Sequence, residues 1–359
     1  HMHVYLTDMP SKKAIHFFPS IRKVAGNSAL RDMVTLHAPP PLTKKGQTDE
    51  AFWKKHCGKI RVITNEKFPI RDAFLDTTKL KEKLLKPSVD VNIKLNNPVE
   101  AAIIKKGLSE DIAPQVGGDS IALNIKTEDK LAFLMLGSMP TTKSVLEWVN
   151  SFAEESKKPS PNQNYFFLYC GLPDTPEEPN LLLRAVSQEI DKLKAAGEIA
   201  KNFNIIPFTN QSADEIALLM ARSDVSITRS GGATSMELVE LDRADLPKRA
   251  GKLVLINSEA ELTHPKPPVP DSQEFVKNII TETASARKLI KAQIKKMQAK
   301  DDYKALDSSS LRKLAIERVL TKKGIVLWEG GNAKYLAKKI GAHVTTPQYA
   351  KPLLSELFF

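Results

Sequence analysis

Cysteine is nearly missing from this sequence of 359 residues: Cys57 and Cys170 are the only two. That excludes a disulfide framework and a thiolate metal cluster, and a reduced, cytoplasmic setting suffices. No apolar run reaches the roughly 18 residues that a membrane span needs. The start lacks the charged and then apolar layout of a signal peptide. There is no internal repeat. No Asp-x-Asp stands between apolar strands, so metal-dependent diphosphate binding is not expected. His56 and Cys57 adjoin without a further ligand at suitable spacing, so neither a metal nor a cofactor is expected.

Hydrophobic residues at 42% and charged residues at 26% describe a globular chain, long enough for about two domains. The formal charge is +11, from 53 Lys and Arg against 42 Asp and Glu. It is unevenly spread. Residues 1–86 carry 17 basic and 8 acidic side chains, and residues 283–323 carry 12 and 4. The remainder holds 24 and 30 and is mildly acidic. Basic blocks of this kind fit a solvated face, an acidic protein, an anionic membrane surface or RNA. Tyr303 is the only aromatic residue in 283–323, which argues against a stacking platform for single-stranded nucleic acid.

The opening His1-Met2-His3 reads as a cloning remnant ahead of a fragment. Val4–Thr7 reads as a buried strand stopped by Asp8-Met9-Pro10, and Ile60–Thr64 as a second strand, with loop between them. From about residue 130 a regular alternation sets in. Strands are expected at 131–136, 165–169, 205–208, 225–228 and 253–256. Helices are expected at 145–152, 180–200, 212–222, 233–241 and 332–340. Short apolar strands alternating with helices predict a parallel α/β sheet of Rossmann type, with ligands at the C-terminal strand ends. Residues 262–323 interrupt it with a proline cluster and then a lysine-rich helical pattern. The domains expected are 1–127 and 128–359, with 262–323 inserted in the second.

Two turns carry the chemistry. In the first, a strand ends at Thr228 and Arg229-Ser230-Gly231-Gly232-Ala233-Thr234 leads into a helix. Unpaired N–H groups at a helix start suit a phosphate. Gly231 and Gly232 allow close approach, Thr234 and Ser235 add hydroxyls, and Arg229 offers a forked guanidinium. Glu237 could accept both hydroxyls of a ribose. In the second, an apolar strand over 324–327 meets Glu329-Gly330-Gly331-Asn332, with Asn332 as N-cap or first-turn residue of a helix. Two polar strand–helix turns in succession are expected to point into one crevice.

These residues resemble the donor-binding domain of GT-B glycosyltransferases, and most of all the peptidoglycan N-acetylglucosaminyltransferase family. Its Arg-Ser-Gly-x-x-Thr-x-x-Glu turn is similar to Arg229, Ser230, Gly231, Thr234 and Glu237, with an altered glycine–alanine spacing. Its Gln-x-x-Asn-Ala turn is similar to Glu329, Asn332 and Ala333, with Glu in place of Gln. Pro207-Phe208-Thr209-Asn210 resembles the segment that reads the nucleobase through its backbone, and Leu136-Gly137-Ser138 the loop that opens the second domain. The segment 65–71 is similar to the family's Asn-Pro-x-Arg exit from its first domain. The resemblance covers about 130–260 and 324–345.

The resemblance implies a GT-B fold of two Rossmann-like domains and a metal-independent transfer from a UDP- or GDP-sugar. The family's glycine-rich loop with its catalytic His has no counterpart, so the first domain is expected to be incomplete. Asp8 and His16, with His37, are the candidates for the base that takes the acceptor's proton. The alternatives are a catalytically silent module that engages a protein or RNA through its basic surfaces, and a sugar-nucleotide epimerase. The lysine-rich style also resembles translocated Legionella effectors with a mannosyltransferase-like domain. That likeness implies GDP-mannose as donor and a host protein as acceptor.

Overall fold

A computed structural model describes residues 1–6, 8–10, 18–43, 46–65, 70–137, 140–158, 160–171, 180–244, 246–247, 252–258, 284–299, 303, 306–322, 325–326 and 329–357. The chain is α/β and forms two compact units, residues 1–69 with 230–236 and 258–339, and residues 70–229 with 237–257 and 340–359. This partition differs from 1–127 and 128–359: residues 70–127 join the second unit and most of 258–339 the first.

In the first unit β1 (Met2–Tyr5), β2 (Val34–Ala38) and β3 (Arg61–Thr64) form a parallel sheet in the order β1-β2-β3. β1 is not the buried strand expected. It lies at the sheet edge, and Met2 and Tyr5 are exposed. The stretch expected as loop between the two strands holds β2 and the helices α1 (Phe18–Gly26), α2 (Ser28–Arg31) and α3 (Asp49–Cys57). α3 starts where Thr48 accepts a hydrogen bond from the Ala51 amide, with Asp49 and Glu50 in its first turn, a favourable charge at the positive helix end. Phe18, Leu36, Phe52, Trp53 and Ile60 form the core between these elements.

Two basic helices, α10 (Ala284–Gln298) and α11 (Ser308–Leu320), pack around Ile290, Met297, Tyr303, Leu311 and Leu314. They fall in the segment 262–323 read as helical. Its proline cluster lies outside the described residues. Of the strand expected at 324–327 the described residues are Ile325–Val326 (β13), which pair antiparallel with Thr321–Lys322 (β12).

The second unit holds six parallel strands in the order β14-β11-β10-β7-β8-β9. Their ranges are β7 Lys130–Met135, β8 Asn164–Tyr169, β9 Phe203–Phe208, β10 Val225–Thr228, β11 Leu253–Asn257 and β14 His343–Thr345. β8 to β11 are buried along their whole length, as a sheet covered on both faces requires. The chain runs from β7 outward through α6 (Thr142–Ser156) to β8, and through α7 (Leu181–Ala195) to β9. It then returns through α8 (Ala213–Arg222) to place β10 on the other side of β7. The order therefore reverses between β7 and β10, where open α/β sheets bind ligands beyond the strand ends.

An antiparallel sheet, β4 (Ser88–Lys94), β6 (Ser120–Lys126) and β5 (Gln115–Gly117), belongs to the same unit. Helix α5 (Pro98–Gly107) packs so closely on β9 that a Cβ at Gly107 would lie 1.8 Å from the Ile205 carbonyl oxygen. Gly107→Ala is expected to cost about 2–3 kcal/mol, read from the denaturant midpoint. An unchanged midpoint would contradict this packing. Among the described residues no helix is long and apolar enough to cross a membrane.

Candidate functional site

The reversal point is built from two strand ends. β7 leads to Gly137, whose φ of +89° is a left-handed conformation that favours glycine. A Cβ there would sit 4.0 Å from Nη1 of Arg229, which directly follows β10. Register pairs Met135 with Thr228, so Gly137 and Arg229 are neighbours because their strands are. Ser138, next in the chain, lies outside the described residues.

Two residues past Arg229 the backbone turns into α9 (Gly232–Arg243), whose first regular hydrogen bond runs from Ser235 N to Gly231 O at 2.9 Å. No acidic residue stands in the first turn of α9, so no carboxylate of that turn meets the positive end of the helix dipole. Gly231 has open space where a Cβ would project. Gly231 and Thr234 are half-buried, Ala233 is exposed and Gly232 is buried. The hydroxyls of Ser230 and Ser235 are buried without a hydrogen-bond partner. Buried polar groups are rarely left so, and each such group asks for a ligand or a water.

Glu237 lies farther along α9, and its side chain is 2% exposed. Arg71 holds it from the same unit, with Nε 2.7 Å from Oε1 and Nη2 2.9 Å from Oε2. The Arg71 guanidinium also lies 4.9 Å over the Phe74 ring. Burial pushes the nearby Tyr169 hydroxyl above its ordinary range, and the Arg71 cation pulls it part of the way back. Sequence reasoning did not assign Arg71 to the site.

Within the first unit Asn332 is a second centre. It is fully buried and lies in the first turn of the second turn's helix, α12 (Gly330–Ile340). Its Oδ1 accepts from the Met9 amide at 2.7 Å, and its Nδ2 donates to Asp8 Oδ1 at 2.8 Å and to the Ser230 carbonyl at 2.7 Å. Both amide protons are thereby engaged within the protein. A sugar could reach this residue only through the remaining lone pair of Oδ1 or through the backbone. Gly331 is required by the same packing, since a Cβ would lie 2.8 Å from the Met9 carbonyl oxygen, while Gly330 faces open space. Glu329 is buried.

Asp8 is half-buried. Burial pushes its carboxyl from 3.8 up to about 6. The Asn332 hydrogen bond opposes that rise, and the negative charge of Glu329 adds to it. An acid that changes charge near pH 6 is suited to proton transfer at neutral pH. Of the other base candidates, His16 lies outside the described residues. The ring of His37 stacks on Tyr5 and shares a hydrogen bond with His3 on the sheet edge.

The segment expected at the nucleobase is arranged differently from the resemblance. The Phe208 side chain is fully buried, stacked on Phe133, and its carbonyl accepts from the Cys170 amide at 2.8 Å. Beyond it, Thr209 donates to the buried Glu100. Asn96 Nδ2 donates to the Thr209 hydroxyl and the Asn210 carbonyl, and Gln211 exchanges hydrogen bonds with the backbone of Lys94. The turn after β9 is thus occupied by the turn between β4 and α5.

No protein-family model matches the chain, and no curated protein matches it in sequence. Among solved structures, "Trehalose-6-phosphate from E. coli bound with UDP-2-fluoro glucose" is similar at 11% identity and a TM-score of 0.34, over 99% of this chain and 67% of that one. "Trehalose-6-phosphate synthase. OtsA" is similar at 10% identity and a TM-score of 0.32, over 94% of this chain and 66% of that one. A glycosyltransferase from Rickettsia africae ESF-5 is similar at 13% identity and a TM-score of 0.24, over 94% and 98% of the two chains. The chain thus spans about two thirds of the length of the first two. At TM-scores this low the functional reading rests on the site itself.

Proposed function

We propose that the chain is a metal-independent glycosyltransferase of GT-B type that takes a sugar from a UDP- or GDP-sugar. One observation carries the reading: directly after Arg229 the chain enters a helix start with no acid in its first turn and two unsatisfied buried hydroxyls, those of Ser230 and Ser235. A diphosphate satisfies such a place through N–H groups, hydroxyls and a guanidinium. Ser230, Gly231, Gly232, Ala233 and Thr234 form the phosphate turn, and Glu237 takes the ribose. Glu329, Gly330, Gly331 and Asn332 shape the place of the sugar. The helix dipole and Arg229 stabilise the leaving diphosphate as its charge develops, and Asp8 takes the acceptor's proton.

The acceptor we infer is an acidic protein. Arg287, Lys288, Lys291, Lys295 and Lys296 are all exposed on α10, a helix without a single acidic residue.

A thermal-shift screen of UDP, GDP and their common sugars tests the donor, because binding to the folded state alone raises the unfolding temperature. The expected result is stabilisation by one nucleotide class and slow hydrolysis of the matching sugar donor. Binding without hydrolysis or transfer would make the chain a silent binding module. Conversion of the donor to its epimer without acceptor would make it an epimerase. No shift with any nucleotide would overturn the reading.

A further inference from the structure

The carboxylate assigned to the ribose is already occupied. Arg71 takes one lone pair from each oxygen of Glu237, in the planar forked geometry that a vicinal diol would also use. The two partners differ in freedom. Glu237 is 2% exposed and sits on a helix, whereas Arg71 is 40% exposed and keeps three further N–H groups beyond the two in the fork. A buried carboxylate stripped of its partner is costly, so it must exchange one partner for another rather than stand alone. An exposed guanidinium is free to move to a stronger anion.

We propose that Arg71 is a specificity-determining latch: it holds Glu237 until a diphosphate draws its guanidinium away and hands the carboxylate to the ribose hydroxyls. This rests on the nucleotide reading above. Glu237 lies five residues beyond Gly232, about 7.5 Å along the helix axis, and helical side chains lean back towards the N-terminus. Recognition of the ribose is then coupled to the presence of phosphate. A nucleoside must compete with Arg71, and a nucleoside diphosphate brings the group that removes it. Such coupling is reciprocal.

Calorimetric titration of uridine and guanosine, each with and without inorganic pyrophosphate, separates a latch from a merely structural ion pair. In the wild type pyrophosphate is expected to tighten nucleoside binding about tenfold. In Arg71→Ala the nucleoside alone binds about tenfold tighter and pyrophosphate adds nothing. Arg71→Lys keeps a weaker coupling, because a point charge cannot make the fork. If Arg71→Ala fails to fold around its unpaired carboxylate, Glu237→Gln serves instead and is expected to lose the coupling. Nucleoside affinity indifferent to pyrophosphate in the wild type, or coupling that persists in either variant, overturns the latch. Wild-type protein that binds neither UDP nor GDP overturns the donor reading itself, and the latch with it.

Discussion

Arg229→Ala is expected to weaken UDP or GDP binding at least about 100-fold, close to 3 kcal/mol, and to leave the ligand-free fold intact. A guanidinium on a diphosphate makes forked, charge-assisted hydrogen bonds, each about twice as strong as a neutral one. Here it stands 4.0 Å from the position of a Cβ on Gly137, at the strand ends where the sheet order reverses. The side chain is half-buried, and the Thr228 hydroxyl donates to the residue's backbone carbonyl, a bond that the substitution keeps. The unfolding temperature of the free protein, measured alongside, tells loss of the ligand from loss of the fold. Calorimetry that shows unchanged nucleotide affinity in this variant would remove the donor site from the β7–β10 crevice.

How much of this was legible in the sequence follows from what each element buries. Five strands of the six-stranded sheet announce themselves because both faces are covered, so their residues form largely apolar runs, whereas β14, exposed at His343 and Val344, was not expected. Val225–Thr228 was expected and found with the same bounds, and Leu253–Ile256 gained only Asn257. The first unit was harder to read. β1 is an exposed edge whose side chains need not be apolar. β2 is five residues long and runs straight towards three prolines. α3 is marked in the sequence only by its Thr48 cap and its acidic first turn.

The partition of the chain was also hidden, because residues 230–236 and 258–339 return to the first unit after the second has begun. Sequence order carries no mark of such a crossing. The same limit applies to the site. Arg229, Gly231 and Glu237 fall in one local pattern of strand, glycine turn and helix, and local patterns are what a sequence displays. The Arg71–Glu237 fork joins residues 166 positions apart, and the Asn332–Met9 bond spans 323. Glu237 itself held the only clue: a carboxylate on a helix face that turns out to be buried needs a cation, and its identity is set by tertiary structure. For Phe208 the apolar run that revealed β9 had already placed its side chain in the core.

Asp8→Asn should abolish glycosyl transfer while making the protein more stable. The loss of a positioned base costs about 10²–10⁴-fold in rate. The gain in stability follows from the direction of the shift. The folded carboxyl titrates at about 6 against an ordinary 3.8, so between about pH 4 and pH 6 the folded protein keeps a proton that the unfolded chain has released. Stability therefore falls as the pH rises through that window and is level, at its lower value, above it. Asparagine stays neutral throughout and still offers an oxygen to the Asn332 amide. The variant should be more stable than the wild type at pH 8 by about 1–3 kcal/mol, and the difference should vanish near pH 4. Denaturant unfolding at both pH values measures this. Wild-type transfer should decline below about pH 6 as Asp8 takes up its proton. A variant that is less stable at pH 8 would show that the carboxylate is favourably paired. A variant that still transfers sugar would pass the role of base to another residue. Under the proposed function a half-buried acid held at a cost to the fold serves as the proton acceptor, and its neutral replacement separates the two effects.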